Sequence, residues 1–127
     1  MLHDILSRYL ESIEAVVREI NDAYIERYQE EILASNRINL RIRVRFKSGY
    51  LFELNEAAIV EVEQFRRLNY RFHFQDSQNN IVFRYDNTPH FPDLENFPHH
   101  KHLCNDVVSS DEPSVIRVIE EAIQLAK

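Results

Sequence analysis

The stretch FRYDNTPHFPDLENFPHHKHLC, residues 83–104, concentrates the groups of this chain that can move a proton or hold an ion. It carries four of the six histidines (His90, His99, His100 and His102), the single cysteine, Cys104, and three of the four prolines. Arg84 and Asp86 stand at its start, and Lys101 lies among the histidines. Imidazole titrates close to neutrality, so a pair of histidines can serve as base and acid in one reaction. Metal-free cleavage of RNA has that requirement. One group takes the proton of the 2′-hydroxyl, another protonates the leaving oxygen, and cations offset the charge that gathers on phosphorus. His90, His99, His100 and His102 are the candidate proton carriers. Arg84 and Lys101 are the nearby cations, and Asp86 would orient a histidine or Arg84. This chemistry calls for no metal and no cofactor.

Two other readings fit the same residues. His100, His102 and Cys104 lie at i, i+2 and i+4, so an extended segment puts them on one face. With His90 and Asp93 they make a ligand set for a metal-dependent hydrolase, though the spacing matches no strong zinc signature. The plainer reading is a histidine-rich surface loop, stiffened by prolines and satisfied by ordinary hydrogen bonds. Cys104 has no helix N-terminus or fixed base beside it and reads as a partly buried, unreactive thiol. His3 and His73 read as structural or exposed.

A second constellation sits on one strand. Ile38, Leu40, Ile42, Val44 and Phe46 alternate with Asn39, Arg41, Arg43, Arg45 and Lys47. That period of two predicts one apolar and one cationic face. The same alternation puts Glu53, Glu61, Glu63, Arg71, His73, Arg84 and Asp86 on the polar face. Arginine's planar fork matches phosphate oxygens, so Arg41, Arg43, Arg45, Lys47, Arg71 and Lys101 are candidates to hold an RNA backbone. A solvated surface of weak cross-strand ion pairs is the alternative, as is a docking face for an acidic protein segment.

The elements that must carry these groups can be read in order. Residues 2–33 repeat apolar groups at helical spacing (Leu2, Ile5, Leu6, Tyr9, Ile13, Val16, Val17, Ile20, Tyr24, Tyr28, Ile32), with a kink or stop allowed near Asn21. Unbroken, that is a helix of roughly 45 Å. Its tyrosines read as packing groups, and so long an apolar stripe leaves room for a homodimer. Strands follow at 38–47, 50–55, 59–65, 68–75 and 81–85. Ser48-Gly49 and the polar run 76–80 serve as turns. The proline-rich loop comes next. Pro113 and the cap candidates before it then open a helix lined by Val115, Ile116, Ile119, Ala122, Ile123 and Ala126. The expected fold is α+β: a five-stranded antiparallel meander with the long N-terminal helix and the C-terminal helix on its apolar face.

The chain has 127 residues, 44% hydrophobic and 28% charged, with a formal net charge of −6. That suits one globular domain, residues 1–127, with its own core. The acidic balance excludes a general nucleic-acid coat and leaves local cationic faces to meet any phosphate. One cysteine rules out an internal disulfide and fits a reducing, cytoplasmic setting. The N-terminus lacks the basic head and apolar run of a signal peptide, and no apolar stretch approaches membrane-spanning length.

Three runs, Tyr70-Arg71-Phe72-His73-Phe74, Phe83-Arg84-Tyr85-Asp86-Asn87 with Pro89-His90, and Phe97-Pro98-His99-His100-Lys101-His102-Leu103, carry a resemblance. Together they resemble the TumE family of small prokaryotic proteins, toxin components of two-gene toxin–antitoxin modules. The resemblance reaches from the basic strand to the final helix. It implies a cytoplasmic toxin neutralised by a cognate antitoxin protein. Arg84, Asp86, His90, His99, His100, Lys101 and His102 fall on the characteristic string. Many ribonuclease toxins are basic whereas this chain is acidic, so any RNA affinity must come from the cationic strand. Three functions therefore stand open: an endoribonuclease-type toxin, a non-catalytic interaction module, and the His/Cys metal-dependent hydrolase.

Overall fold

The computed structural model describes all of residues 1–127. The amphipathic N-terminus begins as helix α1 (Asp4–Arg18). His3 caps it, with Nδ1 accepting the backbone N–H of Ile5 at 3.1 Å. Leu6, Leu10, Ile13 and Val17 form its buried stripe at helical spacing.

The helix stops at Arg18 and does not run to residue 33. Asp22 takes a left-handed φ of 57°, and the chain leaves as strand β1 (Ala23–Ala34). The reason the two forms look alike in sequence is geometric. Tyr24, Tyr28 and Ile32 recur every four residues, and four is close to a helical turn and also an even number. Residues so spaced share a face of a helix or of a regular strand. Here Tyr28 and Ile32 lie opposite Ile42 and Ile38 on the apolar face, and a bulge between Ile25 and Arg27 turns Tyr24 to the other side, opposite Arg45. With the long helix goes the long apolar stripe that left room for a homodimer.

Six further strands follow: β2 (Arg37–Phe46), β3 (Leu51–Glu61), β4 (Gln64–Gln75), β5 (Ile81–Asp86), β6 (His100–Leu103) and β7 (Asp106–Ser109). They form one antiparallel sheet in chain order, so the meander has seven strands rather than five. The strands expected at 50–55 and 59–65 are one element, β3, and the true reversal lies at Val62-Glu63. Both residues have positive φ, 48° and 58°, which a two-residue hairpin needs. Glycine or asparagine usually marks such a turn, and neither is present, so the sequence hides it. At the β2–β3 turn Gly49 is required: φ is 92°, and a Cβ there would come within 2.8 Å of Ser77 Cβ.

Alternation sorts the sheet as expected. Ile38, Leu40, Ile42, Val44 and Phe46 are buried on one face, together with Phe52, Leu54, Phe72, Phe74 and Phe83. Helix α1 packs there, and so does α2 (Val115–Leu125), through Val115, Val118, Ile119 and Ala122. Ser114 caps α2, its side chain accepting from Arg117 N. No helix is long and apolar enough to cross a membrane.

One charged group is sunk into this apolar layer. Glu56, 3% exposed, accepts from Tyr9 Oη at 2.5 Å and from Arg67 Nε at 2.8 Å. Arg67 also donates to the Pro113 carbonyl at 2.8 Å and meets Glu112 at 3.3 Å. Burial holds the Glu56 carboxyl above its usual range, against the pull of Arg67. The cluster ties α1, β3, β4 and the entry to α2 together.

Candidate active site

The opposite face of the sheet carries the chemistry, and strand register assembles it. Two rows run across the strands. In one, Arg41 pairs with Asn55, Asn55 with Arg71, Arg71 with Asp86, and Asp86 with His100. In the other, Arg43, Glu53, His73, Arg84 and His102 follow one another in the same order. The histidine run expected to be loop is strand β6, so His100 and His102 project to one side and land beside Asp86 and Arg84. The loop 87–99 folds back over them. The Phe91 ring stands edge-on to His100 and His102, at 5.0 and 5.9 Å between centroids.

At the centre are Asp86, 5% exposed, and His100, 2% exposed. Asp86 was expected on an open polar face, and the returning loop buries it. His100 Nδ1 donates to the Pro98 carbonyl at 3.0 Å, because a carbonyl can only accept. His100 Nε2 lies 2.8 Å from Asp86 Oδ1 and 3.1 Å from His102 Nε2. The two facing Nε2 atoms need a proton between them; carried by His102 Nε2, it is held toward His100 Nε2 and Asp86 and leaves His102 Nδ1 with its lone pair. The other Asp86 oxygen lies 3.5 Å from His102 Nε2, and Oδ1 also accepts from Thr88 N at 3.1 Å.

His102 differs from His100 in one respect that matters. Its side chain is 26% exposed, and only Nε2 is engaged by the protein. Nδ1 is left free for another molecule. Burial lowers the pKa of His102 from its usual value; His100 and Arg84 push the same way, and Asp86 opposes them. A neutral imidazole with an open nitrogen is what a general base requires.

Beside the histidines lie cations. Arg84 Nε donates to His73 Nδ1 at 3.2 Å, and the other ring nitrogen of His73 contacts Gln75 Oε1 at 2.8 Å. His73, half-buried with its pKa lowered chiefly by burial, thus acts as a neutral prop for Arg84. Burial presses the pKa of Arg84 down, and the like charge of Arg71 adds to that. Neither Arg84 nor Arg71 has an ion-pair partner within 4.0 Å. The cations at the far end of β2 are otherwise engaged: Arg43 with Glu26 and Glu53, Arg45 with Glu26, and Lys47 with Asp22.

The remaining candidates disperse. His90 is exposed on the loop, its ring 6.3 Å from Phe91. His99 turns to the helical side and contacts Tyr70 Oη through Nδ1 at 2.8 Å. Lys101, on the helical face, pairs with Glu121 at 3.2 Å and lies over the rings of Phe83 and Tyr85. Cys104 is exposed rather than partly buried. The metal ligand set built on His90, Asp93 and Cys104 is not assembled. The group of three side chains whose ligand atoms lie within 4.8 Å of one another, and which could hold an ion, is Asp86, His100 and His102. Sequence reasoning passed over two contributors, Phe91 and Pro98. Their roles depend on how the loop closes, which no local pattern encodes.

A family described as Toxin TumE matches residues 10–127, nearly the whole chain, and the chain belongs to that toxin family. No curated protein and no solved structure matches it.

Proposed function

We propose that this member of the TumE family is an RNA-cleaving toxin whose chemistry is metal-independent proton transfer centred on His102. The observation that carries the reading is the open Nδ1 of His102, with Nε2 held against the buried Asp86–His100 pair. In the proposed step His102 Nδ1 takes the proton from a ribose 2′-hydroxyl. The oxygen attacks the adjacent phosphorus, and the bond to the 5′ oxygen breaks. That oxygen leaves with a proton from a second histidine, for which exposed His90 on the covering loop is the candidate. The products are a 2′,3′-cyclic phosphate and a free 5′-hydroxyl. Arg84 and Arg71 offset the charge on phosphorus. Asp86 and His100 are positioning residues, since His100 is too buried to touch a substrate, and His99 and Lys101 drop out of the site.

The family membership supports a cytoplasmic toxin held in check by a cognate antitoxin protein. An acidic segment of that protein on the cationic face would compete with RNA.

The experiment is cleavage of single-stranded RNA by purified protein, wild type beside His102→Ala, with and without chelator. Loss of one general base costs about 10²–10⁴ in rate. The expected result is activity that survives chelation, leaves cyclic phosphate ends and falls by that factor in the variant. Activity abolished by chelator and restored by a divalent ion would replace this with a metal-dependent reading, for which the ligand spacing of Asp86, His100 and His102 is the specific support. Growth arrest without new RNA ends would favour the interaction module.

A further inference from the structure

The cationic face divides into a neutralised end and an open one. Arg43, Arg45 and Lys47 are paired with carboxylates. Arg37, Arg41 and Arg71 are exposed and have no ion-pair partner within 4.0 Å. These three line one groove of about 520 Å³ with Asn55, Asn69 and Thr88. The amides of Asn55 and Asn69 have no hydrogen-bond partner within the protein. The one carboxylate residue along the wall, Glu56, sends its side chain to the other face, to Tyr9 and Arg67. The groove thus offers unpaired guanidinium groups and unpaired amides with no negative charge facing in.

Register fixes its place. Arg41, Asn55, Arg71, Asp86 and His100 are successive cross-strand neighbours. At a strand spacing of about 4.8 Å, Arg71 lies one strand from Asp86 and Arg41 about 10 Å further out. Thr88, on the groove wall, is also bonded through its backbone N–H to Asp86. The groove therefore ends beside the histidine cluster, with Arg71 the cross-strand neighbour of Asp86.

We infer that this groove is a base-reading subsite for the nucleotide next to the one cleaved: Arg41 and Arg71 take its phosphate, and Asn55 and Asn69 take the edge of its base. The inference rests on the RNA-cleavage reading and adds to it a direction and a selectivity. An acidic peptide would use the arginines and leave the amides idle. A nucleotide uses both, since planar guanidinium suits phosphate and an amide pairs donor and acceptor with a base edge. Arg37, at the outer end, would meet the following phosphate.

The test is binding, read apart from cleavage. Fluorescent 2′-O-methyl hexanucleotides of each single base, which have no 2′-hydroxyl to attack, are titrated against wild type, the double variant Asn55→Ala/Asn69→Ala, and the double variant Arg41→Gln/Arg71→Gln. All four substituted residues are at or near the surface, and thermal melts confirm that each variant folds. One base is expected to bind better than the rest by roughly 5- to 150-fold, the range a good amide–base pair supports. The amide variant should lose that preference while keeping its affinity for the other three. The arginine variant should weaken for all four and show a shallower dependence on salt. Equal binding of all four by wild type, or a preference that survives in the amide variant, overturns the subsite. So does a polyglutamate peptide binding as tightly as the oligonucleotides. If base-selective binding holds and RNA is never cut, the subsite stands and the cleavage chemistry fails; the reverse result separates them equally well.

Discussion

Two carboxylates are buried in this sheet, one on each face, and they have opposite partners. Glu56 is held by the guanidinium of Arg67 and the hydroxyl of Tyr9, groups that keep their protonation state throughout the ordinary pH range. Asp86 is held by His100 and faces His102, imidazoles, the side-chain type able to take up and release a proton in the ordinary pH range. The first cluster is closed: Arg67 is 8% exposed at its side chain, and its Nη1 donates to Pro113 and Glu112. The second has an exit, the free Nδ1 of His102. Burial alone therefore does not mark a reactive carboxylate; what matters is whether its partner can pass a proton onward.

The comparison can be broken by mutation. The largest effect on stability is expected at the closed cluster. Glu56→Ala leaves the buried Arg67 with only the half-exposed Glu112 as counter-charge and should cost about 3 kcal/mol, measured by urea unfolding. Asp86→Asn keeps the shape of its site and should cost clearly less, while its RNA-cleaving activity drops with that of His102→Ala. Similar stability losses for the two would erase the distinction drawn here.

A smaller effect is expected from Phe91→Ala. An aromatic contact of this kind is worth about 0.5–1.5 kcal/mol. Because burial is the first cause of the lowered pKa of His102, admitting water should let that pKa rise toward 6.5. An NMR titration of the imidazole measures it, and an unmoved pKa would mean that Phe91 does not shield the ring.

A pH profile sharpens the same point. A histidine with a lowered folded pKa binds fewer protons folded than unfolded. Its contribution to stability is then complete above the unfolded value near 6.5 and is lost as pH falls toward the folded value. Activity should follow the folded value, so the acidic limb of the rate profile should lie below 6.5 in wild type and shift upward in Phe91→Ala. The smallest effect is expected at the paired end of β2: Lys47→Ala should change oligonucleotide affinity less than twofold, whereas Arg71→Gln should weaken it severalfold.

How much of this was legible in the sequence depends on what each element asks of it. Strand β2 was plain because five alternating apolar residues are all buried and the intervening ones are not. The gathering of His100 and His102 with Arg84 and Asp86 was legible as density in one stretch, and an i, i+2 spacing is what a strand needs to aim two rings the same way. Strand β1 was read as helix because it is an edge strand: little of it is buried, so no period of two was imposed on it. Strands β6 and β7 have four residues each, too few to show a period. Which arginines stay free was hidden for another reason. It turns on Glu26 and Asp22 reaching across from β1 and the turn before it, contacts that do not exist if those residues are placed in a helix.

The central claim is that His102 is the group that takes the proton. The most direct measurement is the cleavage rate of a single-stranded RNA by His102→Ala against wild type, with both melting temperatures recorded. The account predicts a fall of about 10²–10⁴ with the melting temperature nearly unchanged. Cleavage at the wild-type rate by a folded His102→Ala protein would contradict it.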